Sequence, residues 1–181
     1  MKGRSTLRRI RLPLLLAAVT LPAAASTGTA GQTLSATLSP VGALTTPGTA
    51  TLSSGSTTFQ PFIGTVPVSY EIRTTPVGSG SITVQVTSDF APAGGPSAAS
   101  GALTYVCSGA NLGTGCSGTQ TASTTGQTPV LAVPASSCTG GGGACSSQNP
   151  NSMNVTFTLT DSPTYPTGTY SASVTFTISA M

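Results

Sequence analysis

The chain has no histidine and no tryptophan, and charged residues make up only 5% of its 181 positions. Lys2, Arg4, Arg8, Arg9 and Arg11 crowd the N-terminus, so past Arg11 the sole cation is Arg73, facing the acids Glu71, Asp89 and Asp161. Each shortage removes a class of function. Serine and threonine nucleophiles need a base, and without His, or Lys beyond Lys2, only a carboxylate or the α-amino group is left to serve. A paired-carboxylate hydrolase would have to draw two acids from Glu71, Asp89 and Asp161, whose spacing offers no such pair. Phosphate neutralisation needs a basic patch, which a single Arg does not make, and nucleic acid is excluded as a partner. Three scattered carboxylates do not compose a calcium loop. The glycine run 140–143 is not followed by Lys and has no strand-to-helix context, so it reads as a surface loop and not a phosphate cradle. The sequence therefore predicts no enzyme, no metal and no cofactor.

What is present begins with an export signal. The basic cluster precedes an apolar run, residues 12–21, and the small-residue stretch Pro22-Ala23-Ala24-Ala25. That is the order of a cleaved secretory signal, with cleavage expected after Ala25. The run is too short for a spanning helix, and no later segment approaches the length that one needs, so no membrane association is expected after cleavage. Arg8-Arg9 lacks the flanks of a twin-arginine signal, since Leu7 precedes it and Arg11 stands where a large apolar residue belongs. Sec export to the periplasm, cell surface or exterior is expected. The remaining 156 residues would carry a net charge of −2, from one Arg against three acids.

Residues 26–181 suit one domain with one core. They alternate apolar and polar side chains at every second position, the pattern of strands with one face buried. Leu34, Ala36 and Leu38 form one such set. Val66, Val68, Tyr70 and Ile72 form another, and Ile82, Val84 and Val86 a third. The clearest are Met153, Val155, Phe157 and Leu159, then Tyr170, Ala172, Val174, Phe176 and Ile178. Weaker candidates lie at 49–53, 102–107 and 129–133, with Gly, Pro, Ser and Asn clusters between. The expected fold is all-β, an immunoglobulin-like antiparallel β-sandwich of seven to eight strands. Whether the last two strands pair or sit in opposite sheets is open, because the break at 161–168 is long for a hairpin.

Cys107, Cys116, Cys138 and Cys145 suit an oxidising compartment. Their clustering favours two disulfide-closed loops, 107–116 and 138–145, with a crossed pairing as the rival. Their spacings are not those of a zinc site.

Candidate contact residues are few. Glu71 and Arg73 share one face of a strand as an exposed ion pair, or Arg73 meets an anionic ligand. Asp89 and Asp161, at strand ends beside Ser88 and Ser162, suit turn capping. The threonines of Val155-Thr156-Phe157-Thr158-Leu159-Thr160 and Val174-Thr175-Phe176-Thr177 form an outward array of the kind that orders water or ice, or are the β-branched polar residues that suit a solvated strand. Tyr105 and Tyr165 are the candidate exposed rings for glycan binding, while Tyr70 and Tyr170 point inward by phase. The near-absence of charge favours association, and edge strands without Lys or Glu are poorly defended against pairing with another chain. Strand addition follows as a mode of assembly, with 32–39 (Leu34, Ala36, Leu38) as the candidate assembly strand.

The closing run Gly168-Thr169-Tyr170-Ser171-Ala172-Ser173-Val174-Thr175-Phe176-Thr177-Ile178 resembles the last strand of bacterial secreted pilin-like sandwiches, notably fimbrial subunits and the spore coat protein U type. The resemblance implies a surface or appendage subunit that uses strand complementation, although this chain has no Cys near its expected mature N-terminus. The sequence thus predicts a non-enzymatic, exported structural or adhesive surface protein whose partner is itself or another exported β-sandwich subunit. The alternative is a small extracellular module that binds carbohydrate or, less favoured, ice.

Overall fold

A computed structural model of the protein describes residues 31–55, 58–135 and 150–181. Two units are distinguished along the chain, Met1–Ala36 and Thr37–Met181. Among its described residues the second is a sandwich of two antiparallel sheets with nine strands. These are β1 (Val41–Thr45), β2 (Phe62–Arg73), β3 (Gly80–Ala91), β4 (Leu103–Ser108), β5 (Thr114–Gly115), β6 (Gln120–Thr121), β7 (Thr128–Val133), β8 (Asn151–Leu159) and β9 (Ser171–Ala180). The five-stranded sheet has the order β1-β2-β8-β4-β6 and the four-stranded sheet the order β5-β7-β3-β9. The two last strands therefore lie in opposite sheets.

Alternation explains the core. On β2, Val66, Val68, Tyr70 and Ile72 are buried; on β8, Met153, Val155, Phe157 and Leu159 are buried. The register sets Val66 opposite Val155, and Tyr105 of β4 opposite Phe157, so side chains of one face meet directly across the ladder. From the facing sheet Ile82, Val84, Val86, Val130, Leu131 and Val133 close the layer. Tyr105 and Phe157 stack tilted with ring centroids 5.7 Å apart, and Phe157 meets Phe176 edge-on at 6.4 Å.

Several expectations need correction. The stretch 32–38 is in no strand, and every residue from 31 to 40 is exposed. Of 49–53, only Ser53 pairs, in a single bridge to Ile63. The strand that does form on this side is Val41–Thr45, whose Val-Gly-Ala-Leu run lacks an apolar–polar alternation. Its place comes from pairing with Ser69 to Arg73 of β2. The two-residue strands β5 and β6 are too short to leave any periodic signal.

Candidate functional site

The two flanks of the sandwich are built differently. On one, Cys107 of β4 is joined to Cys116, which follows β5, so the disulfide crosses from the five-stranded to the four-stranded sheet with 5.3 Å between Cα atoms. Cys138 and Cys145 lie outside the described residues. Two buried tyrosines reinforce this flank. Tyr105 directs its hydroxyl to Thr128 Oγ1 and the Pro129 carbonyl, both at 2.8 Å, and Tyr70 donates to the Leu112 carbonyl. Burial raises the pKa of both phenols, against the lowering effect of the hydrogen bonds.

The opposite flank is formed by β1 and β9, the end strands of the two sheets. Among the described residues β9 pairs only with β3, leaving its other edge without a ladder partner. Its inward side chains are incompletely covered: Val174 is 36% exposed, and Phe176, Ile178 and Ala180 are only partly buried where they pack against the core. The five-residue strand β1 passes over the Ile178 end of β9, where a Cβ on Gly42 would lie 3.0 Å from Ile178 Cγ1. A side chain at Gly42 would push Ile178 aside, so glycine permits the close approach. β1 ends at Thr45, opposite Ser69 of β2. Leu44, Leu52 and Phe62 pack partly buried against the same core.

Thus, among the described residues, the open flank offers an unpaired strand edge beside a half-covered apolar row of Val174, Phe176 and Ile178. β1 and β9 themselves carry no charged side chain, while Glu71 and Arg73 of β2 lie across from Ala43 and Val41 of β1. Outward side chains of β9 are hydroxyls that bond across to β3, Thr175 to Thr87 at 3.2 Å and Ser179 to Ser81 at 3.1 Å.

The sequence-predicted residues are placed as follows. Leu34 and Leu38 are 89% and 75% exposed, and Ala36 is exposed too. The Arg73 side chain is half-buried, its Nε donating to the Ser39 carbonyl at 2.9 Å, while Glu71 is exposed on the same strand. Tyr105, expected to be an exposed ring, is 1% exposed, because it alternates in phase with buried Leu103. Tyr165 is half-buried. Tyr170 lies over Gly95, where a Cβ would fall 2.0 Å from the ring, and its hydroxyl donates to the Pro166 carbonyl at 2.7 Å. The exposed ring that the sequence reading missed is Phe59, 57% exposed with φ of 41°. The two threonine sets do not make one array, since Thr156 and Thr158 belong to the five-stranded sheet and Thr175 and Thr177 to the four-stranded one.

Asp89 is a turn cap, as is Asp161. The Asp89 carboxylate accepts from the N–H groups of Phe90 (2.8 Å), Ala98 (2.7 Å) and Ala99 (3.4 Å) and from the Ser97 hydroxyl, closing the turn that contains the cis Ala91–Pro92 bond. Desolvation raises its pKa, but the four hydrogen bonds together outweigh that and hold it below its ordinary value. Asp161 Oδ1 accepts from the Ser162 N–H at 2.8 Å. Among the described residues no three His, Cys, Asp or Glu side chains gather to hold a metal ion. Comparison with protein-family models, curated proteins and solved structures finds no match to this chain.

Proposed function

We propose that this protein is a non-enzymatic, exported structural or adhesive surface component that assembles by β-strand addition at β9, its partner being another copy or a related exported sandwich subunit. The open flank carries this reading. A free edge supplies a row of backbone donors and acceptors, and the half-covered Val174, Phe176 and Ile178 supply apolar contact for alternate side chains of an added strand. Edges of soluble sheets are commonly protected by Lys, Pro, bulges or inward charges. β9 carries no charge and no proline, and its bulges against β3 fall between Val86 and Ala91, near its start. The carbohydrate-binding alternative loses Tyr105 to the core.

The test is the mass distribution of the oxidised, exported protein by light scattering, with negative-stain microscopy, beside Val174→Lys. Because Val174 is 36% exposed, the lysine is tolerated in the monomer, but an added strand would have to bury or displace its charge. Concentration-dependent polymers that Val174→Lys abolishes are expected. Monomers at every concentration, for both proteins, would contradict the proposal.

A further inference from the structure

On the outer face of the five-stranded sheet the side chains form a two-dimensional grid. The β2–β8 register runs residue for residue from Phe62 opposite Leu159 to Tyr70 opposite Asn151, and the β4–β8 register from Leu103 opposite Leu159 to Ser108 opposite Asn154. Outward positions therefore fall into ranks that cross three strands. Ile63, Thr158 and Thr104 make one rank, and Thr65, Thr156 and Val106 the next. Neighbours within a rank are about 4.8 Å apart, and successive ranks about 6.8 Å apart. The four-stranded sheet breaks this order, because β3 shifts register against β7 between Ile82 and Thr83 and against β9 between Val86 and Ala91. Such shifts add local twist and spoil a flat repeat.

All six residues of the grid are β-branched, so their χ1 angles are restricted and their methyls and hydroxyls are held in place. Two contacts fix them further: Thr65 Oγ1 lies 2.9 Å from Thr156 Oγ1, and the Thr104 hydroxyl donates to the Thr158 carbonyl at 3.4 Å. Ile63 and Val106, 48% and 40% exposed, add methyl groups at opposite corners. The next rank, Pro67, Asn154 and Ser108, is also uncharged. Glu71, the nearest charge along β2, is six residues past Thr65, about 20 Å away. We propose that this face binds ice. Rigid methyls restrict the orientation of first-shell water, and fixed hydroxyls hold that water by hydrogen bonds at little further entropic cost. The two repeats approach those of the oxygen atoms on a prism face of ice, so the ordered layer can merge with a growing crystal. No ion's hydration shell interrupts it. This is a second function, on a face that shares no residue with β9, and it does not depend on strand addition.

The probe is ice itself, grown slowly from dilute protein below the assembly concentration, with the protein taken into the crystal measured and recrystallisation of fine-grained ice followed in parallel. The native chain is compared with Thr156→Lys at the centre of the grid, Thr65→Lys on its exposed neighbour, and Ala132→Lys on the outer face of the other sheet. Thermal melts establish that each variant is folded. The native chain and Ala132→Lys should enter the ice and halt recrystallisation. The two grid variants should need about tenfold more protein or worse, because a lysine's hydration must be stripped at the ice surface. Exclusion of the native chain from ice, like any solute, would overturn the proposal and leave the threonines as ordinary residues of a solvated strand. Ice binding that survives both grid variants, or that Ala132→Lys impairs as much as they do, would overturn the assignment to this face.

Discussion

The two flanks use similar residue types toward opposite ends. Around β4, β5 and β7 the sheets are tied together by the Cys107–Cys116 disulfide, by Tyr105 reaching from β4 to the Pro129 carbonyl of β7, and by fully buried Val130 and Val133. Around β1 and β9, Val174 and Phe176 have the same inward phase yet remain half-covered. A side chain's phase along a strand decides which sheet face it joins. Whether that face is covered depends on what packs over it, and at β9 the cover over Val174 is incomplete.

The comparison predicts an asymmetry in stability. The largest effect belongs to the closed flank. Replacing Cys107 and Cys116 together by serine removes a short-loop crosslink estimated at about 2–3 kcal/mol, so Tm should fall by about 10 °C. A melt of the oxidised variant that coincides with the parent would show that the closed flank does not depend on its staple.

Next is a matched pair. Val84→Ala, at a site with no exposure, should cost about 2 kcal/mol, whereas Val174→Ala, at 36% exposure, should cost well under about 1 kcal/mol in the monomer. Denaturant midpoints measured at concentrations below assembly check this. Equal losses would mean that the open flank is as well packed as the core and would remove the contrast.

The smallest effect concerns Asp89, which lies at the end of β3 and belongs to neither flank. Its folded-state pKa is held below the ordinary carboxylate value, so its stabilising contribution is fully present above the unfolded-state value and is lost as pH falls through the folded-state one. Because the group is largely solvated, the effect is modest. Asp89→Asn should lower Tm slightly at neutral pH and flatten its decline in acid. A variant whose acid limb retains the native slope would show that Asp89 does not contribute to it.

Most of the sandwich was legible because its strands repeat apolar residues at period two. The ranges of β2, β3, β4, β7, β8 and β9 all overlap predicted segments. The same signal misplaced 34–38, whose alternation shows that one face is suited to burial without showing what would bury it. β1 escaped detection because Gly42 and Ala43 blur its pattern, and Gly42 is needed for the approach to Ile178. The buried place of Tyr105 could have been read from its phase with Leu103. The turn closed by Asp89 could not, since its donors Ser97, Ala98 and Ala99 lie eight to ten residues downstream and are brought close only by the fold. The open flank itself was not legible, because half-coverage of Val174 and Phe176 depends on which elements the fold brings over β9.

The most direct test of the central claim is residue-resolved amide hydrogen exchange along β9, followed as protein concentration is raised. Strand addition predicts that the β9 amides facing away from β3 exchange quickly in dilute protein and become protected as assemblies form, while the amides already bonded to β3 change little. Free-edge amides that exchange at the same rate in assembled and monomeric protein would contradict the account, because the copies would then be joined through some other surface.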